Sequence, residues 1–330
     1  MFDVITIGSA TRDLFIQSKA FKIIKTPRFR TGRALAVSLG SKCDIEELKF
    51  FVGGGAVNTA TTFANQGFHA AALCVIGKQG GSEEVLDFLG EKRISSKFVF
   101  RDSHDRTAYS LIFTVPGKDR TVLRYEGVTW HLHEFPIPWQ ELSETKWFYL
   151  NHLGGKSTVL VPQLISLARE HGIRIAWNPG RTQLENPKKL FTLLKHVEVF
   201  IVNQEEACIL TGIPYENKKE IFRRLDDLIH GIVIMTKGSK GVEVSDGKTI
   251  WSAGVVPLKK IIDRTGAGDA FGSGFVVAFM RKPGDIEYAI QFASANATSV
   301  LTQWGATNGL LKKEDSMYQW GRLNIKKNAL

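Results

Sequence analysis

Apolar and polar positions alternate along the chain in blocks whose period changes repeatedly. Val4-Ile5-Thr6-Ile7 is a short apolar run that stops at Gly8-Ser9 and reads as a buried strand. An Ala/Thr-rich helix follows Gly53-Gly54-Gly55 and stops near Gly67, and Ala71 to Ile76 is again extended. From residue 82 the same alternation continues. Ser82 to Arg93 and Thr158 to His171 are helical, whereas Trp147 to Leu150, Ile173 to Trp177, Val197 to Val202 and Ile232 to Met235 are extended. Strands separated by helices predict an α/β fold with a central, mostly parallel sheet joined by crossover helices.

Two stretches break this rhythm. Residues 14 to 50 hold only short apolar pieces between basic and turn residues, which suits short strands of a small sheet. Residues 98 to 128 contain Ala108 to Val115 and Thr121 to Tyr125 around Pro116-Gly117-Lys118-Asp119-Arg120, a hairpin with a five-residue loop. Late in the chain Phe271, Phe275 and Phe279 recur every four residues, giving residues 267 to 282 one apolar helical face. Lys282-Pro283-Gly284 breaks that helix, and Asp285 opens another through about Leu301. The final residues, rich in Lys and Asn, read as a fraying tail.

At 330 residues and 43% hydrophobic, the chain can bury a large core, and residues 1–330 are read as one domain. No apolar run of about 18 residues predicts a membrane span, and the start carries no basic segment followed by a cleavable apolar one. A cytoplasmic protein with no membrane partner is expected. Cys43, Cys74 and Cys208 are widely spaced and read as reduced thiols. The net charge of +10 is spread thinly and accompanies no nucleic-acid motif, so it reads as a solvated basic surface that meets a small anion rather than DNA or RNA. His131 and His133 lack a matching third ligand and read as part of a linker.

The chemistry concentrates at Asp263-Arg264-Thr265-Gly266-Ala267-Gly268-Asp269-Ala270-Phe271. This turn opens a helix, where unpaired backbone N–H groups and the aligned peptide dipoles favour a phosphate or a developing oxyanion. Gly266 and Gly268 let the backbone approach such an anion. Asp269 in the first turn is either a dipole-stabilising carboxylate or a general base beside an acceptor hydroxyl. Gly272 and Gly274, each costing about 1 kcal/mol in a helix relative to Ala, imply that something approaches that helix closely.

This run resembles the C-terminal signature of the ribokinase-like (PfkB) carbohydrate kinases, usually Asp-Thr-Thr-Gly-Ala-Gly-Asp-Ala-Phe, with Arg264 the departure. Gly53-Gly54-Gly55-Ala56-Val57-Asn58, with Gly67 and Gly77 downstream, resembles the family's N-terminal signature. The resemblance implies a ribokinase-like fold in which the two β-rich pieces form a lid over the substrate, a lid that can also serve as a homodimer surface. It implies substrate contacts from Asp13, Gly53, Gly54 and Asn58, a catalytic base at Asp269, and an anion hole from Gly266, Ala267 and Gly268. Thr265, Thr236, Gly238, Gly241 and Asn296 would meet ATP, and Asn203 and Glu206 match the family's Mg²⁺ motif, with a monovalent cation as a further candidate. Asn151 stands where ribokinases tend to carry a substrate-contacting Glu, and Lys78-Gln79 where the family often has an acidic pair; both leave the sugar open.

The expected activity is therefore transfer of phosphate from ATP to a hydroxymethyl group of a sugar, with a nucleoside as the alternative acceptor. A purine would need an aromatic shelf, for which Phe15, Phe113 and Tyr125 are candidates. Two rival classes are weighed beside it. A dinucleotide-binding oxidoreductase would use Gly266-Ala267-Gly268 as part of Gly-x-Gly-x-x-Gly, but position 271 is Phe. A non-catalytic sensor on the same fold has no need of Asp269, Asn203 and Glu206.

Overall fold

A computed structural model describes residues 1–29, 31–117 and 120–330. In chain order the strands are β1 (Phe2–Ile7), β2 (Thr11–Gln17), β3 (Lys22–Lys25), β4 (Arg33–Ala36), β5 (Glu47–Gly53), β6 (Ala70–Gln79), β7 (Ser95–Arg106), β8 (Ala108–Thr114), β9 (Thr121–Tyr125), β10 (Thr145–Leu150), β11 (Arg174–Trp177), β12 (Val199–Asn203), β13 (Ile232–Thr236), β14 (Val242–Ser245), β15 (Thr249–Ala253) and β16 (Ile325–Ala329). Ten of them form one sheet in the order β16-β15-β14-β13-β12-β11-β10-β1-β6-β7. From β7 to β13 neighbouring strands are parallel, and beyond β13 they are antiparallel. Helices Leu160–His171 and Lys218–Leu228 bury their apolar residues in the core cluster on one side of the sheet, and Ala267–Arg281 and Ile286–Val300 do so on the other.

The small sheet has the order β5-β2-β8-β9 and so joins strands from the two β-rich pieces, which the family resemblance implies fold together. Two details differ from the expectation. β7, placed with this patch by sequence, belongs to the large sheet, because Leu73 to Gly77 pair with Phe98 to Asp102. Residues 22–25 and 33–36 pair only with each other, as an isolated hairpin. The β8–β9 hairpin forms as expected, with Lys118 and Asp119 of its loop outside the described residues.

The tail is ordered rather than frayed. β16 adds to the edge of β15, with Ile325 opposite Ala253 and Ala329 opposite Thr249, and Lys327 pairs with Glu287. The helix glycines are explained by packing. A Cβ on Gly272 would meet the Tyr149 hydroxyl at 2.4 Å, and one on Gly274 would lie 3.2 Å from the backbone of Ala293, so the close approach comes from protein.

Candidate active site

The mouth of the Ala267–Arg281 helix is fixed from behind by a residue to which the sequence assigned no role. Buried Asp263 accepts hydrogen bonds from the Thr265 amide (3.0 Å), the Thr265 hydroxyl (2.9 Å) and the Gly305 amide (3.2 Å). Gly266 then turns the chain at φ 75°, and a Cβ there would lie 2.4 Å from that of Ala306. Only glycine satisfies both the backbone angle and the contact. The Ala267 amide folds back on the Arg264 carbonyl at 3.5 Å, while the next amides belong to the unpaired first turn of the helix.

Two cavities meet at this mouth. The first, about 280 Å³, receives Asp13, Gly54, Asn58, Thr265, Gly266 and Asp269. These residues come from the end of the small sheet, the start of the Gly55–Asn65 helix and the 265–269 turn, at one end of the parallel strands, where ligands of open α/β sheets bind. Asn58 donates from Nδ2 to Asp269 Oδ2 at 2.8 Å, joining the two glycine signatures across 211 residues. Desolvation pushes the Asp269 carboxyl up to about 6; Asn58 opposes the rise and the nearby Asp13 carboxylate adds to it. Asp13 is buried, which raises its own pKa, and accepts from the Thr11 hydroxyl at 3.1 Å. Gly53 lies beneath it: a Cβ at that position would sit 2.3 Å from Asp13 Oδ2.

Asn58 Oδ1 and Asn151 Oδ1 are buried without a hydrogen-bond partner, and both residues line the cavity. Such orphaned acceptors are what a bound polyol satisfies. The wall also carries Tyr109, Arg124, Tyr125, Trp130 and His152. Of the expected aromatic shelf only Tyr125 faces this space; Phe15 packs on Phe51 and Trp304, and Phe113 on Phe21. The linker reading concealed Trp130, and His152 follows Asn151 at the end of β10, a position that topology rather than local pattern makes functional.

The second cavity, about 390 Å³, lies on the other side of the mouth and receives Ala267 and Gly268. Thr236, Gly238 and Gly241 line it together, with Val255, Val256, Pro257 and Phe271 supplying apolar walls. Arg264, where the signature departs, lines it too. Thr265, assigned to the nucleotide by sequence, opens instead to the first cavity.

Three other sequence assignments are placed differently. Asn296 is fully buried, donates to the Ala270 carbonyl (2.8 Å) and accepts from the Leu311 amide (2.9 Å). It ties two helices to the chain after them, and the cleft is lined by its neighbours Ser294, Ala297 and Thr298. Asn203 and Glu206 form a reciprocal helix cap, Asn203 Oδ1 accepting from the Glu206 amide at 2.9 Å and Glu206 Oε2 from the Asn203 amide at 2.8 Å. They do not line either cavity, although Asn203 pairs with cleft residue Thr236 across β12 and β13. His131 donates from Nδ1 to buried Asp102 Oδ2 at 2.7 Å, and Asp102, His131 and Glu134 bring ligand atoms within 4.8 Å of one another. The third group absent from the local sequence is thus supplied by β7, and the short contact is a hydrogen bond.

A buried carboxylate with a raised pKa, a helix mouth, and separate polar and largely apolar cavities on its two sides suit an α/β phosphotransferase. A family model described as pfkB family carbohydrate kinase matches residues 3–313, and the chain belongs to that family. A ribokinase of Haemophilus influenzae is 26% identical over 272 residues, 80% of this chain and 86% of that protein. A cytidine kinase of Thermococcus kodakarensis is 26% identical over 77% of this chain and 88% of that one. Among solved structures, Arabidopsis thaliana ribokinase complexed with ribose and ATP superposes with a TM-score of 0.76 at 18% identity, covering 95% of this chain and 96% of that one. Membership sets aside the dinucleotide oxidoreductase. Among the described residues no helix is long and apolar enough to cross a membrane.

Proposed function

We propose that the protein transfers the γ-phosphoryl group of ATP to a hydroxymethyl group of a sugar ring. The observation that carries this is the partition at the helix mouth: Gly266 and Asp269 open to the polar cavity, while Ala267 and Gly268 open to the apolar one. A hydroxyl held in the first and a phosphate chain laid along the second meet at the same first turn.

Asp13, Asn58 and Asn151 orient the acceptor by hydrogen bonds to its hydroxyls. Asp269 takes the proton of the attacking hydroxyl; with a carboxyl pKa near 6 it is ionised at neutral pH yet more basic than an ordinary Asp. The first-turn amides and the helix dipole stabilise charge on the transferring group. For Mg²⁺ the donor chemistry of Glu206 with Asn203 suits a hard cation that keeps several waters. Glu206 has one oxygen engaged in the cap, so these residues would hold the ion through water. An ion held there would neutralise charge on the ATP phosphates.

The small sheet is read as the lid of this site. Its outward face carries the in-register row Phe50, Leu14, Leu111 and Leu123, with Phe50 and Leu123 exposed, which supports pairing of two copies through the lid. Coupled measurement of ADP release over a panel of sugars and nucleosides tests the activity. Asp269→Asn is expected to lower kcat by about 10²–10⁴ while ATP still binds. Near-normal turnover of that variant would remove the base, and acceptor binding with no turnover in the unaltered protein would favour a sensor.

A further inference from the structure

The aromatic wall of the first cavity is more elaborate than a free sugar requires. Trp130 and His152 sit with ring centroids 5.0 Å apart, both on the cavity wall. The backbone is shaped around them. A Cβ on Gly154 would lie 2.7 Å from the Trp130 ring, one on Gly155 3.2 Å from Trp130 Cβ, and one on Gly180 2.2 Å from His152 Cγ. His152 is bonded through Nε2 to the Thr182 hydroxyl at 2.9 Å, and burial together with Arg124 lowers its pKa, so the ring is neutral at pH 7. From the lid, Tyr109 and Tyr125 are direct cross-strand partners on β8 and β9 and line the same cavity, the Tyr125 hydroxyl being held by Asp105. Beside Trp130, Thr129 is 3% exposed, and its hydroxyl has no hydrogen-bond partner.

We propose that the acceptor is a nucleoside, its base seated between the lid tyrosines and the Trp130–His152 pair while its ribose hydroxymethyl reaches Asp269; this rests on the kinase reading above. Two parts of the cavity divide the labour. Asp13, Asn58 and Asn151 match hydroxyls, whereas the aromatic wall offers flat ring faces, with Arg124 and Glu126 paired to each other beside them. A free pentose presents hydroxyls on every edge and would set polar groups against those faces. A base presents two apolar faces, which stack on aromatic rings, and an edge of donors and acceptors that the Thr129 hydroxyl can meet.

The test uses the full chain with MgATP and measures kcat/KM for adenosine, inosine, cytidine and uridine against ribose and fructose. The expected result is at least one nucleoside preferred over both sugars by more than about tenfold. In Trp130→Ala the KM for that nucleoside should rise by about tenfold to a hundredfold, the range for losing one base–aromatic stack, and Trp130→Phe should recover most of it. A free sugar used as well as every nucleoside overturns the inference but leaves the kinase reading standing. If no acceptor is phosphorylated, calorimetric titration of the same compounds decides. Nucleoside binding weakened by Trp130→Ala sustains the acceptor class, and sugar binding alone, or no binding, ends it. Should Trp130→Ala fail to fold, Tyr109→Leu carries the same expectation from the opposite wall.

Discussion

The two cavities that share the helix mouth are built in opposite ways. The second cavity, where we propose the nucleotide lies, draws every lining residue from positions 236 to 301 and relies on backbone, small residues and apolar walls. The first cavity, proposed for the acceptor, gathers residues from Ser9 to Asp269 and presents side chains, with buried carboxylates and orphaned amide oxygens. A cleft made locally can be altered one contact at a time. A cavity whose parts arrive from across the sheet depends on the whole topology, and its electrostatics couple Asp13, Asn58 and Asp269 into one unit.

The strongest way to break this contrast is Asp269→Asn, which removes the carboxylate of the helix's first turn. Its stability effect has a definite sign. The folded pKa is raised, so this group's contribution to stability is fully present below its unfolded value near 3.8 and is lost as the pH rises through about 6. Asp269→Asn should therefore melt higher than the unaltered protein at pH 8, and the gain should vanish near pH 3.5.

Next in size is Gly266→Ala. Positive φ and the contact with Ala306 together predict a loss of about 2–4 kcal/mol, read by chemical denaturation, with both cavities impaired. An unchanged midpoint would show that the turn tolerates a side chain. Asn58→Ala sharpens the acceptor side: losing the bond that favours ionised Asp269 should move the acidic limb of the kcat profile, near 6 in the unaltered enzyme, to higher pH. Activity at pH 6 should fall by up to about tenfold, with much less effect at pH 8.5. The smallest effect is expected on the local side. Arg264→Ala should raise the KM for ATP by about threefold to tenfold through loss of one charge facing the phosphates, leaving the pH profile in place. An unchanged KM would place Arg264 outside nucleotide binding.

How much of this was legible in the sequence follows the same division. Val4 to Ile7, Ala71 to Ile76 and the other buried strands declare themselves through local apolar runs, and both glycine signatures lie within single turns. Thr236, Gly238 and Gly241 fall together on the second cavity because its lining is local in sequence. The pairing of Asn58 with Asp269 was not legible, since nothing in either stretch specifies a partner 211 residues away. Asn296 and Glu206 show what local pattern does not reveal. Each sits in a suggestive motif, yet its hydrogen bonds are spent on packing or capping that only the fold reveals. Trp130 and His152 carry no periodic signal, and their role depends on glycines at 154, 155 and 180 that make room from neighbouring segments.

β16 matters for the behaviour of the molecule in a crowded solution more than for its chemistry. By occupying the flank of β15 it hides a ladder containing Ile250 and Trp251, and it turns outward exposed Lys326, Lys327 and Asn328 in their place. Charged residues on an outermost strand discourage another chain from docking there. The final few residues thus act as a selvedge on the cloth: trimming them would leave the weave of the catalytic centre intact while exposing a raw border to self-association.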